Sequence, residues 1–244
     1  MDTAQARPAD PSGAASGGAS RRRFELLEEC RGVILQRLGE VVSQALNRMS
    51  DELTAEALRS FRSDQQQLLL DAVMLVREHR MEIEHRFRRS FGDIFERRLF
   101  AMDSGAAAAS ESAGGELSLV SDEVIRDRLS VDRVIGRAKS RLDPDEVLGI
   151  RARLGALLDR DWFDEGRHPV SPEAIFEALK DALAELSPRA EVRVALLDAF
   201  EPHVSQNLNG LYAAVNERLR SNQVLPKIRP QVQVAPGGAR RPGE

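Results

Sequence analysis

Cys30 is the single cysteine in 244 residues, so no disulfide can close within the chain and nothing in its cysteine usage marks an oxidising compartment. It reads as a small apolar residue on a helix face. Aromatic residues make up only 5%, which leaves a core built mainly from Leu, Val and Ala. Lysine is also scarce: Lys139, Lys180 and Lys227 are the only three among 35 basic residues. That skew fits GC-rich coding more simply than a demand for guanidinium chemistry. Long hydrophobic runs are missing too. The most apolar stretch, Leu68 to Val76, is interrupted by Asp71 and is far too short to span a bilayer. The N-terminus, MDTAQARPADPSGAASGGAS, lacks the apolar run of a secretory signal. A cytoplasmic protein with no transmembrane segment is the expectation.

No charge of one sign prevails. The 39 acidic residues slightly outnumber the 35 basic ones, for a net charge of -4. Non-specific nucleic-acid binding by the whole chain is argued against, because it needs a field that attracts phosphates. Hydrophobic residues at 42% nevertheless supply a real core.

No segment alternates like a strand, and what remains is helical periodicity. Residues 1–20 are rich in Ala, Gly, Ser and Pro and read as a disordered tail. From Phe24 to Met49 the residues Leu27, Ile34, Leu38, Val41, Val42 and Leu46 follow a helical period. Ser50-Asp51-Glu52 predicts a stop and a restart, giving a short helix through Leu58 and Phe61. Ser63 or Asp64 then caps a long helix that reaches about Phe100, carried by Leu68, Ala72, Leu75, Val76, Ile83, Phe87, Phe91 and Ile94. At 1.5 Å per residue it is on the order of 50 Å long, which implies a hairpin or coiled-coil partner. The first segment or a second copy of the chain would serve.

Residues 103–115, DSGAAAASESAGG, have no apolar period and read as a flexible linker. Beyond it Ser121 opens a helix carrying Val131, Val134, Ile135, Ala138 and Leu142. Three Pro-based starts follow. In Asp143-Pro144-Asp145-Glu146 the Asp caps, Pro takes the first helical position, and Glu146 stands at the capping-box position. Ser171-Pro172-Glu173 and Ser187-Pro188 repeat the device, and Pro202 is expected to interrupt the last run. The reading is an all-α protein: a disordered tail (1–20), a long helical hairpin or coiled-coil-like module (21–102), a linker (103–115), a small helix bundle (116–225) and a second tail (226–244).

Chemistry is harder to find. Glu82-x-x-His85 has the spacing used by carboxylate-bridged di-metal bundles, but the pair lies off the apolar stripe. Its only counterpart, Glu165 and His168, sits in a Gly/Pro loop. No metal site follows. His79 falls on the apolar face and reads as a half-buried, satisfied histidine. Arg86 to Phe100, RFRRSFGDIFERRLF, interleaves arginine with phenylalanine, a composition suited to an anionic surface or a partner. Most of its phenylalanines are already needed for packing. Trp162 and Phe163 stand in the longest loop of the second module and read as a lid on the core or an anchor for a partner. The candidate partner surface is therefore Trp162 and Phe163 with Arg86, Arg88, Arg89, Arg97 and Arg98. There is no phosphate-cradling loop, no positioned nucleophile and no zinc spacing. Hence no catalytic residue and no cofactor is expected.

Leu117-Ser118-Leu119-Val120, Val131-Asp132-Arg133, His168-Pro169-Val170-Ser171-Pro172-Glu173-Ala174 and Leu211-Tyr212-Ala213-Ala214-Val215-Asn216 together resemble the N-terminal part of the bacterial DUF1631 family. The resemblance covers about Phe24 to Lys227. It implies a leading segment of much longer helical proteins of uncharacterised function, so the chain is either a fragment or a short form. Some relatives carry the label thymidine phosphorylase, which would imply a nucleoside- or phosphate-handling enzyme. The phosphate-binding loop and pyrimidine pocket of such an enzyme are not visible here, and no functional residues come with the family. The expected role is a non-catalytic protein-interaction or regulatory module, with a protein partner or self-association. The alternatives are the labelled enzyme and anionic-surface binding through the Arg/Phe segment.

Overall fold

A computed structural model describes residues 12–100, 122–159, 163–164 and 166–228. These fold into six helices with no strand among the described residues: α1 (Ser12–Arg59), α2 (Ser63–Phe100), α3 (Asp122–Ser140), α4 (Pro144–Leu157), α5 (Pro172–Ala184) and α6 (Ala190–Ser221). The all-α class follows from the sequence as expected. The 103–115 stretch and the Ser121 cap lie outside the described residues.

The helix α1 does not stop at Ser50. It runs unbroken from Ser12, inside the stretch read as a tail, to Arg59. Neither Ser nor Asp nor Glu forbids helical backbone, as Pro would. The apolar stripe decides: Leu53 and Ala57 are buried in continuation of Leu46 and Met49. The Thr54 hydroxyl, donating to the Ser50 carbonyl at 2.6 Å, sits comfortably inside the helix. Across the 60–62 turn α2 packs back on α1, burying Val76, Ile83, Phe87, Phe91 and Phe95. Each such phenylalanine contributes about 3 kcal/mol of apolar burial. At His79 the α2 backbone leaves helical values (φ -115°, ψ 16°), while the imidazole Nδ1 lies 3.0 Å from Glu82 Oε2.

Two of the three proline starts behave as read. Asp143 caps α4 by accepting from the Asp145 amide at 2.9 Å, with Pro144 at the first position. Ser171 caps α5 through the Ala174 amide. The capping-box half at α4 is not made, because better partners intervene. The Asp143 amide donates to Asn209 Oδ1, and Glu146 accepts from Asn216 Nδ2. The third start differs: α6 begins after Arg189 without a side-chain cap, and Ser187 accepts from the Arg189 amide in a turn ahead of it. Pro202 does not interrupt α6 either. It lies inside the helix, which Phe200 and Val204 pin to the core on both sides. Tertiary burial outweighs the one backbone bond that proline removes.

The later helices pack on the first two. The helix α5 lies against α2, α6 lies against α1, α3 and α4, and their buried residues form one continuous apolar cluster. Cys30 is fully buried in it, and burial pushes its thiol up to about 11. It is held as an inert apolar residue.

Candidate functional site

The arginine–phenylalanine segment is the first region to weigh. Its aromatic face is core: Phe87, Phe91 and Phe95 are essentially inaccessible, with Phe87 and Phe91 stacked at 5.8 Å. Its basic face meets α5, whose Glu177 and Asp181, with Glu185 at the C-terminal cap, recur every four residues and so share one side. Arg97 and Arg98 pair with the two Glu177 oxygens at 2.7 and 2.9 Å. Arg86 pairs with Glu82 and Glu185, and Ser90 donates to Asp181. The Arg88 guanidinium lies over α1, where an added Cβ at Gly39 would be 2.7 Å from its Nε. Arg89 stays exposed. The structure thus brings Arg86, Arg97 and Arg98 together, but as a clamp between α2 and α5.

The loop anchor is likewise turned inward. Phe163 is 1% exposed, its amide donating to the Arg151 carbonyl and its carbonyl accepting from Arg151 Nε at 2.8 Å. It is a lid on the core. Trp162 lies outside the described residues.

The turn after that loop holds a buried histidine whose role the sequence did not reveal. His168 is 1% exposed, edge-on to Tyr212, and its Nδ1 has no hydrogen-bond partner. Desolvation first, then the positive charges of Arg151, Arg98 and Lys139, push its pKa down to about 3. Neutral imidazole is therefore the resident form. The Tyr212 hydroxyl donates to the Val170 carbonyl at 2.7 Å, and burial drives its pKa upward. Glu173 pairs with Lys139 at 3.2 Å. His168, Lys139, Glu173 and Arg151 border a cavity of about 360 Å³. The Tyr212–Val170 bond locks the 166–172 turn onto α6.

Glu82 and His85 do not converge with other ligands; Glu82 is held by Arg86 and His79, which lower its pKa. Among the described residues no group of three or more His, Cys, Asp or Glu could hold a metal ion. No described helix is long and apolar enough to cross a membrane.

The feature that the sequence reading missed is at the α1–α2 turn. Leu58 and Phe61, expected on the buried stripe of a short helix, are 77% and 106% exposed. Leu58 is one position past the buried Ala57 and so points about 100° away from the core. Phe61 stands outside both helices. Beside this turn a groove of about 700 Å³ opens between Leu53, Leu68 and Leu69 on one wall and Val194, Ala199 and Pro202 on the other. Met74 and Met81 of α2 add further exposed apolar surface.

These features define a helical protein in which several polar side chains clamp helices together and the most exposed large apolar side chains, Phe61 and Leu58, stand at the α1–α2 turn. A family model described as the N-terminal domain of a protein of unknown function, DUF1631, matches residues 22–222. The chain belongs to the DUF1631 family. Neither a search of curated proteins nor one of solved structures gave a match.

Proposed function

We propose that this chain works as a non-catalytic interaction or regulatory module that engages another polypeptide through the α1–α2 turn. The observation that carries the reading is the complete exposure of Phe61, with Leu58 beside it, on a turn whose flanking Glu56 and Gln65 line a groove of mixed apolar and charged walls. Leaving large apolar side chains in water gives up stabilisation of about 2 kcal/mol each. Contiguous exposure of this kind marks interaction sites, and buried aromatic anchors dominate interface energetics. The arginines of α2 support the reading indirectly, since Arg86, Arg97 and Arg98 are committed to α5.

The test is photo-crosslinking in cells that produce the protein, with the photoreactive residue placed at Phe61 or, as a control, at the exposed Glu217 on α6. The expected result is one discrete adduct from position 61 and none from position 217. Absence of any adduct from position 61 would contradict the proposal.

A further inference from the structure

We infer that the partner at this turn is a second copy of the chain, and that two copies exchange α1–α2 turns so that Phe61 of each sits in the groove of the other. The inference rests on the interaction reading above and names its partner.

The turn cannot fill its own groove. Phe61 is fully exposed although Glu56 and Gln65, on either side of it in sequence, both line that groove. The short 60–62 connection directs the ring outward, and a hydrogen bond from the Arg62 amide to Ser60 Oγ holds the turn. Knob and hole are therefore neighbours on one surface. Such a surface is self-complementary about a two-fold axis: the rotation that seats one ring in the second copy's groove seats the second ring in the first. The groove offers Leu53, Leu68, Leu69, Val194, Ala199 and Pro202 to the ring inside a charged rim and is large enough for Leu58 to follow.

Charge favours the same occupant. Arg59, on the turn, has no ion-pair partner among the described residues, and neither does Glu191, on the groove's far rim at the start of α6. Among the other rim charges, Asp198 holds Arg133 and Arg137 and Glu52 holds His203, while Glu56 is a second groove anion with no ion-pair partner among the described residues. Exchange of turns carries an unmatched cation toward an unmatched anion in both halves of the pair. Charge complementarity of this kind fixes register.

Sedimentation equilibrium on the purified full chain, over a roughly hundredfold range of micromolar concentration, tests the inference. The expected result is a reversible monomer–dimer equilibrium that Phe61→Ser weakens by about 30-fold or more. Arg59→Glu and Glu191→Arg should each weaken it, and the double variant should recover. Because all three side chains are exposed, unchanged circular dichroism separates loss of pairing from loss of fold. A monomer across the whole range would overturn the inference, as would a dimer indifferent to Phe61→Ser. If the protein is monomeric while position 61 crosslinks to a different polypeptide in cells, self-pairing is wrong and the interaction reading stands. A monomer with no crosslink sinks both.

Discussion

The Arg98 guanidinium meets the Glu177 carboxylate at 2.9 Å and, with its other nitrogen, donates to the Gly166 carbonyl at 2.7 Å and to Ser171 Oγ at 2.9 Å. One side chain of α2 thereby ties down both the cap of α5 and the turn that precedes it. Arg98 is well shielded, whereas Arg89, three residues from Arg86 on the same helix, reaches into solvent. Arg98→Ala should destabilise the fold by roughly 2–3 kcal/mol, because a shielded carboxylate loses a partner and three charge-assisted hydrogen bonds disappear. Arg89→Ala should change stability by no more than about 0.5 kcal/mol. Urea unfolding of the two variants makes the comparison. Equal effects would show that the clamp is not where the stabilisation lies.

His168 gives the fold a specific acid sensitivity. Its folded pKa is about 3, against the ordinary 6.5, so between those values the unfolded chain binds the extra proton. Stability from this site is fully present above about pH 6.5 and is lost as pH falls toward 3. At pH 5 the loss should be roughly 2 kcal/mol relative to pH 7.5. His168→Gln removes the titrating group, so its stability should fall less steeply over the same interval. Parallel curves for the two proteins would contradict the assignment.

Glycine substitutions should separate crowded from open helix faces. A Cβ at Gly149 would come within 2.7 Å of Arg153 Nη1 and Asn216 Nδ2. Those groups belong to the buried Arg153–Asn216–Glu146 network. Gly149→Ala should therefore cost about 1–3 kcal/mol. A Cβ at Gly210 meets nothing within 4 Å, so Gly210→Ala should stabilise α6 by about 0.5–1 kcal/mol through helix propensity alone. Thermal unfolding of both variants reads the opposite signs.

Much of this architecture was legible in the sequence because it is local. The stripe Ile34, Leu38, Val42 and Leu46 and the caps at Asp143 and Ser171 depend on residues three or four apart, and the structure places them as read. What failed depended on distant packing. Ser50 does not end α1 because the Leu53 and Ala57 continuation is buried, and Pro202 does not end α6 because Phe200 and Val204 are both buried. The arginines of α2 gave no sign in one dimension that Glu177 and Glu185 would face them from some 80 to 100 residues away. Phe61 was misread for the opposite reason: the period that would bury it stops at Arg59, two residues short.

The turn-and-groove interface is tested most directly by hydrogen–deuterium exchange of the full chain at two concentrations, one far below and one far above the association midpoint. Raising the concentration should slow amide exchange around residues 56–69 and 191–202, the segments that carry the exposed turn and the groove walls, and should leave α4 and α5 unchanged. Exchange that is independent of concentration, or protection appearing only elsewhere on the surface, would contradict the account.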